Sequence, residues 1–239
     1  MGRAFEFRKE RKMKRWANMA KTFTKIGREI AISVKEGGPD PNYNSRLRLA
    51  IQNAKAANMP KTNIENAIKK ASAKDAADFK EIVYEGYAPH GIAVIVETAT
   101  DNTNRTVSGV RLVFSKYGGS MGTSGSVDYM FQRKCVFKIS AEGIDLEELE
   151  FDLIDHGLEE IKTDDEGLLE LYAAFEDFGN LQKALEEREL EVKESELVRI
   201  PDHTTPLSEE QVEEVIKLID KMEEDEDVIN VFHNMNMDD

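Results

Sequence analysis

Apolar residues recur at helical spacing through the first third of the chain. The spacing predicts an amphipathic helix that packs on its neighbours from about Met13, with an apolar face of Met13, Trp16, Ala20, Phe23, Ile30 and Val34. Gly37 and Gly38 should end this helix, and the prolines at 39 and 41 should keep it from restarting.

Two shorter helices with the same period follow. The second covers residues 44–58, and the third covers residues 58–71, where Asn58 near Pro60 is the expected N-terminal cap. Together these elements predict a basic helical domain over residues 1–75, with a linker at 73–79.

The middle of the chain changes to β periodicity. Residues 91–100 are rich in branched apolar side chains and predict a strand, and the polar cluster at 101–104 predicts the cap of a helix over 106–118. After a glycine-rich stretch, residues 127–131 and 135–139 alternate as two short strands, separated by a turn around Gln132 and Arg133.

The rest of the sequence predicts one domain inserted into another. Residues 134–200 give the order strand, helix, strand, strand, helix, strand, which is the ferredoxin-like plan. The last helix and strand need a partner sheet, so they should return to the strands of residues 80–133. We therefore predict an α+β fold of three domains: the helical domain, an α+β domain over 80–133 plus 201–239, and a ferredoxin-like βαββαβ domain over 134–200 inserted into the second.

Charge is divided unequally along the chain. Residues 1–80 hold 19 Lys and Arg against 8 Asp and Glu, a net of +11, whereas residues 81–239 hold 13 against 39, a net of -26. A solvated charged face is the ordinary explanation of such residues, but a split of this size with Trp16 among the cations favours polyanion binding. The expected nucleic-acid contacts are Arg8, Lys9, Arg11, Lys12, Lys14, Arg15, Trp16, Lys21, Lys25 and Arg28.

Catalysis and metal binding find little support. The four histidines form no metal-binding pattern, and Cys135, the only cysteine, fits a reducing compartment and lies in an apolar run. Asp101 and Arg105 could serve as a base and an electrophile, although capping of the following helix is the better interpretation. We expect no enzyme activity, cofactor or metal, and a cytoplasmic location without a membrane span.

The glycine-rich stretch GGSMGTSG loosely resembles a phosphate cradle. It lacks the Gly-Lys-Ser/Thr ending of a P-loop, and it follows a helix where a dinucleotide fingerprint requires a strand. A flexible connection is the favoured interpretation, and a backbone contact for a phosphate or a partner is the minor one.

Three stretches resemble one known family: residues 15–71, 84–106 and 114–131. They are similar to the YebC/PmpR family of probable transcriptional regulatory proteins, whose mitochondrial relatives include the translational activator of cytochrome c oxidase. The resemblance implies the three-domain fold and a cytoplasmic, non-enzymatic regulator. It also marks a loop that would contact RNA or a partner, formed by Asp101, Asn102, Asn104 and Arg105. The chain departs from the family in lacking a histidine in its first segment and in carrying His90 where many members have glycine.

Two hypotheses remain open. The first is a DNA-binding transcriptional regulator whose basic helices contact phosphates, and the second is a ribosome-associated translation factor that binds ribosomal RNA or tRNA and assists elongation at difficult sequences. The acidic body would meet basic proteins or simply stay solvated. Because the third helix offers Asn63 and Asn66 but little arginine, the residues do not support sequence-specific reading of DNA bases.

Overall fold

A computed structural model describes residues 19–73 and 75–237 of the chain. Its helices are α1 Met19–Gly37, α2 Ser45–Ala56, α3 Lys61–Ala71, α4 Thr103–Lys116, α5 Leu146–Ile154, α6 Phe178–Glu187 and α7 Glu209–Glu223. Its strands are β1 Lys80–Tyr87, β2 Ala93–Thr100, β3 Ser120–Met121, β4 Phe131–Ser140, β5 Leu158–Thr163, β6 Leu168–Ala174, β7 Val192–Pro201 and β8 Val228–His233. The predicted α+β class is confirmed.

Helices α1, α2 and α3 share a small apolar core. Ile30 of α1, together with Leu47 and Ala54 of α2, is fully buried, as the helical period predicts. Asn44 joins the first two helices, because its side chain accepts from the backbone N–H of Leu47 and donates to the carbonyl of Ser33. The part of the predicted first helix that precedes Met19 lies outside the described residues.

The cap expected for α3 is wrong. Pro60 occupies the N-cap position without a side-chain hydrogen bond. Asn58 instead has φ 58°, a left-handed conformation that asparagine tolerates better than most residues. It therefore helps to turn the chain after α2, and it does not start α3.

The first sheet has the strand order β3-β1-β2-β8, with antiparallel neighbours. The final strand therefore returns to the sheet begun by β1 and β2, as predicted, and Ile95 of β2 lies opposite Phe232 of β8. Helices α4 and α7 bury Phe114 and Leu218 in the core of this sheet. Sequence analysis did not find β1, whose exposed and buried positions do not alternate cleanly.

The second sheet has the order β5-β6-β4-β7, which is the ferredoxin-like arrangement. Its core stacks Phe137 of β4 on Phe178 of α6, with the ring centroids 5.0 Å apart. The strand expected at 127–131 is wrong, because Asp128–Met130 forms a short 3-10 helix. The turn expected at Gln132 and Arg133 is wrong as well, because both residues belong to a single long β4 and pair with Ile200 and Arg199 of β7. Both side chains are exposed, which hid the strand period.

The residue bounds of the three domains stay a prediction. β4 runs through the bound expected at residue 133, and its residues from Phe131 onward already pair in the second sheet. Between the sheets, Arg199 of β7 donates to Glu97 of β2 at 2.7 Å and to Asp128 at 2.6 Å. The helical part reaches the second sheet as well, because Leu49 of α2 packs in its core.

Candidate nucleic-acid interface

A buried carboxylate, Asp227, joins the two groups of residues that sequence analysis singled out. Asp227 lies just after α7 in the chain, and its side chain is 4% exposed. Arg28 of α1 donates to it at 2.7 Å, and Arg105 of α4 donates to it at 2.9 Å. The basic first helix and the loop at 101–105 therefore meet at one carboxylate, which sequence analysis missed because it lies more than 100 positions away from both.

Two hydroxyls complete the site around Asp227. Thr106 donates at 2.7 Å and Thr100 at 3.1 Å. Burial alone would raise the pKa of Asp227, but hydrogen bonds from Thr106, Arg105 and Thr100, together with the charge of Arg28, lower that pKa below its ordinary value. The carboxylate thus stays ionised and ties α1, α4 and the end of α7 together.

The cations of α1 also bind the C-terminal end of α7. Lys21 donates to the carbonyl of Glu224 and Lys25 to the carbonyl of Glu223, each at 3.2 Å. The last carbonyls of a helix lack internal partners and carry its negative dipole end, so lysines stabilise them. Lys21, Lys25 and Arg28, which sequence analysis expected on the nucleic-acid face, therefore lie against the acidic body in this structure.

Other cations of the helical part pair with the rest of the chain in the same way. Arg46 binds Glu81 of β1, and Lys35 binds Asp78. Arg48 approaches Glu186 of α6 at 3.6 Å. Part of the charge split is therefore complementarity within one molecule, since basic helices dock on an acidic body.

A second group of helical-domain cations faces solvent. Lys61 at the start of α3 is 89% exposed and lies 3.8 Å from Glu65, its i+4 neighbour. Lys55 lies in the last turn of α2, and Lys69 and Lys70 lie in the last turn of α3; all three are exposed. Within the described ranges, none of these last three forms an ion pair. We call these four exposed lysines of α2 and α3 together the lysine surface.

The remaining predicted contacts have distinct places. Asn102 caps α4 by accepting from the backbone N–H of Arg105 at 3.1 Å, as the capping interpretation predicts. Asp101 accepts from the Arg105 side chain at 2.9 Å, and Asn104 is exposed on the first turn. The residues expected before Met19 lie outside the described part of the chain: Arg8, Lys9, Arg11, Lys12, Lys14, Arg15 and Trp16.

The glycine-rich loop is held from inside the protein. The buried carboxylate of Glu85 accepts backbone N–H groups from Gly125 at 2.6 Å and from Val127 and Asp128 at 2.8 Å each. A phosphate bound by this loop would need the same backbone amides. Because the carboxylate of Glu85 already accepts their hydrogen bonds, they are not available to a phosphate. Burial of Glu85 would raise its pKa, but the three backbone hydrogen bonds and Arg199 lower it.

A cluster of carboxylates lies where the helical part meets both sheets. Glu29 of α1 lies near Glu81, Glu97 and Glu196, with Arg46 as the compensating cation. Loss of hydration is the main cause that raises the pKa of Glu29 to about 7; Arg46 opposes the rise and the neighbouring carboxylates add to it. Glu29, which is half-buried at this junction, is therefore the carboxylate whose pKa is moved toward neutral pH.

Other chemistry is sparse in the described residues. Burial raises the pKa of the Cys135 thiol to about 12, which keeps the thiol protonated and a poor nucleophile. Within residues 19–73 and 75–237, no group of three or more His, Cys, Asp or Glu side chains is placed to hold a metal. Among the same residues, no helix is both long and apolar enough to cross a membrane.

The arrangement of helices and sheets is shared with a solved protein. The crystal structure of a conserved hypothetical protein from Aquifex aeolicus matches with a TM-score of 0.79 at 40% sequence identity, covering 91% of this chain and 90% of that one. Both chains therefore have the same mixed α+β architecture.

Sequence relationships define the family. Residues 3–74 match the TACO1/YebC protein N-terminal domain, and residues 79–235 match the TACO1/YebC second and third domain. A protein of Flavobacterium johnsoniae named probable transcriptional regulatory protein is 61% identical over 98% of this chain and 99% of its own length. A protein of the same name from Porphyromonas gingivalis is 57% identical over 98% of this chain and 97% of its own length. The chain belongs to the TACO1/YebC family.

Proposed function

We propose that this protein is a non-enzymatic, nucleic-acid-binding regulator of gene expression. The observation that carries the proposal is the lysine surface: four exposed lysines on a chain of net charge -15, of which, among the described residues, Lys61 alone forms an ion pair, with Glu65. The names of the relatives, which describe probable transcriptional regulatory proteins, supply the regulatory role. The basic residues of positions 8–15 extend the cationic sequence toward the N-terminus.

The lysine surface suits phosphate contacts better than base recognition. Lysine acts as a flexible point charge toward phosphate, whereas guanine reading favours bidentate arginine. The exposed side of α3 carries Asn63 and Asn66 without any arginine. We therefore propose binding through the nucleic-acid backbone, with strong dependence on salt and weak dependence on sequence.

A charge-matched pair of triple variants tests this role. Lys55, Lys69 and Lys70 are replaced by glutamine in one variant; the control replaces Lys162, Lys183 and Lys193, which are 50%, 73% and 43% exposed on the ferredoxin-like part. Affinity for duplex DNA is measured by fluorescence anisotropy from 50 to about 300 mM KCl. Loss of three phosphate contacts should flatten the slope of log affinity against log salt by about 2–3, because each contact contributes about 0.9.

The control separates contact from overall charge. Both variants lose the same three charges, so an effect of net charge alone would change both slopes equally. An unchanged slope in the Lys55, Lys69 and Lys70 variant would exclude the lysine surface as the binding site.

A specific feature of the acidic part favours the alternative, a ribosome-associated factor. Leu146, Phe151 and Ile154 of α5 are 48%, 80% and 60% exposed and lie among the exposed carboxylates of Glu147 and Glu150. Exposed apolar side chains interspersed with carboxylates complement a basic, amphipathic protein segment. A particle that contains both RNA and basic proteins would engage the lysine surface and these side chains together.

Sedimentation distinguishes the two roles. The full chain, a Phe151→Ser/Ile154→Ser variant and the lysine triple variant are run on sucrose gradients with ribosomes at low and moderate salt. Co-sedimentation that both variants weaken supports the ribosome-associated role. Duplex DNA binding by a chain that stays at the top of the gradient supports the transcriptional role.

A further inference from the structure

Helix α4 differs in charge from the acidic region around it. Residues 81–239 carry a net charge of -26, yet the sequence of α4 contains Arg105, Arg111 and Lys116 and no Asp or Glu. By contrast, α5, α6 and α7 each contain at least two carboxylates. Solubility does not explain why this helix is basic, because carboxylates would make its exposed side equally soluble.

The cations of α4 lie on one continuous exposed stripe. At 100° per residue, seven exposed residues fall within an arc of about 140°. The opposite side buries Thr106, Val110 and Phe114 against the first sheet. We call the exposed set the α4 stripe; its members are Asn104, Arg105, Ser108, Arg111, Leu112, Ser115 and Lys116.

Two cations of the α4 stripe are available to an external anion. Within the described part of the chain, neither Arg111 nor Lys116 forms an ion pair, although Lys116 lies 5.9 Å from the centroid of the Tyr117 ring. Arg105, in contrast, is committed to Asp227 and Asp101. An exposed guanidinium and an ammonium spaced five residues apart can contact successive phosphates of one strand.

Neighbouring residues suit the same ligand. Ser108 and Ser115 donate their hydroxyl hydrogens to the carbonyls of Asn104 and Arg111, so their hydroxyl oxygens remain at the surface as polar groups. Leu112 is 64% exposed between the cations, where an apolar side chain can pack against a sugar or a base. Polar, cationic and apolar groups therefore alternate along one surface of the size of a short nucleic-acid segment.

The α4 stripe begins beside the docked helical domain. Arg105 at its first turn shares Asp227 with Arg28 of α1, so the two elements are fixed relative to each other. A nucleic acid held by the N-terminal part could therefore continue along α4 without a hinge between the two surfaces.

We propose that the α4 stripe is a second contact surface for the phosphodiester backbone of a nucleic acid, with Arg111 and Lys116 as the phosphate-binding residues. The proposal rests on the proposed nucleic-acid-binding function and extends it from the helical domain to the first sheet. RNA and DNA share this backbone chemistry, and the probes below distinguish them.

The test compares two double variants of the full chain. One carries Arg111→Gln and Lys116→Gln; the control carries Lys183→Gln and Lys193→Gln, which removes the same charge from an exposed site on the ferredoxin-like part. Arg105 is left intact because it holds Asp227. Affinities for a labelled single-stranded RNA and for a labelled duplex DNA are measured by anisotropy across a series of salt concentrations, after circular dichroism has shown equal folding.

The expected result is a change in slope confined to the α4 variant. Loss of two phosphate contacts should flatten the slope of log affinity against log salt by about 1.8 with duplex DNA or about 1.4 with single-stranded RNA. The probe that shows the change identifies the ligand. Equal slopes in the wild type and the α4 variant, or equal changes in both variants, would overturn the proposal while leaving the proposed function intact. Failure of the wild type to bind either probe would overturn both.

Discussion

Replacing Asp227 by asparagine should destabilise the protein far more than the same kind of substitution at a nearby surface carboxylate. The substitution keeps the shape of the side chain but removes its charge and turns an acceptor into an amide donor. Arg28, whose side chain is 12% exposed, would then face that amide and keep as counterion only the 63% exposed carboxylate of Glu226, 3.9 Å away. Thr106 and Thr100 would also compete for a single remaining acceptor oxygen.

The magnitude follows from the burial of each partner. Breaking a buried ion pair by removing one partner costs about 3–5 kcal/mol. The Arg105 side chain is 54% exposed and keeps Asp101 as a partner, so its share is reduced by solvent. Arg28 retains the carbonyl of Ala99 as an acceptor. We therefore expect a loss of about 3 kcal/mol in the free energy of unfolding, near the lower limit of that range.

Calorimetry measures the effect against a matched control. For a chain of this size, a loss of about 3 kcal/mol corresponds to a fall in Tm of roughly 6–12 °C. Asp101→Asn is the control, because Asp101 is 50% exposed and pairs only with Arg105 in the described structure around α4. Its loss should cost less than about 1 kcal/mol. Equal, small falls in Tm for both variants would refute the reasoning that Asp227 joins α1, α4 and α7.

The difference between wild type and Asp227→Asn should also depend on pH. Because the pKa of Asp227 is lowered in the folded state, its stabilising effect is complete above the ordinary aspartate pKa of about 4. The effect is lost as pH falls below that value and through the lowered pKa of the folded state. The two Tm values should therefore converge in acid; a constant difference down to about pH 2 would contradict the assigned ionisation.

Three further predictions concern single groups. Because the pKa of Glu29 is raised to about 7, its ionisation lowers the stability of the folded protein as pH rises from about 4.5 through 7. Glu29→Gln should therefore raise the free energy of unfolding at pH 8 by on the order of 2 kcal/mol and change it little at pH 4. Urea titrations at both pH values measure this, and equal gains at the two pH values would contradict it. Glu85→Ala removes the acceptor for three backbone amides, so amide hydrogen exchange at residues 125–128 should accelerate by at least tenfold, whereas Glu81→Ala should leave that loop protected. Cys135 should react with a thiol reagent at pH 8 only after unfolding in urea, and fast labelling of the folded chain would show that the thiol is accessible.

Local sequence patterns predicted the helices and most strands well. The helical spacing of Ile30 and Val34 and the capping residue Asn102 both depend on neighbours within a few positions, which a sequence displays directly. The strand β1 was missed because Glu85 occupies a buried position that periodicity assigns to an apolar residue. Its reason for burial lies 40 positions further along, in the glycine-rich loop.

Local sequence patterns could not predict what the basic face of α1 contacts. Helical periodicity placed Lys21, Lys25 and Arg28 on one arc, and charge alone could not say what that arc would meet. Their partners lie at residues 223–227, about 200 positions away, and become neighbours only when β8 returns to the first sheet. Lys55, Lys69 and Lys70, by contrast, are exposed and form no ion pair within the described residues.

The salt dependence of nucleic-acid binding by the unmodified chain tests the central proposal most directly. With about six phosphates contacted, log affinity for duplex DNA or single-stranded RNA should fall linearly with log salt, with a slope of about -4 to -5. Binding at low salt with that slope is the predicted result. Absence of binding at 50 mM salt, or a slope near zero, would contradict the account and leave the basic helices as docking elements for the acidic body alone.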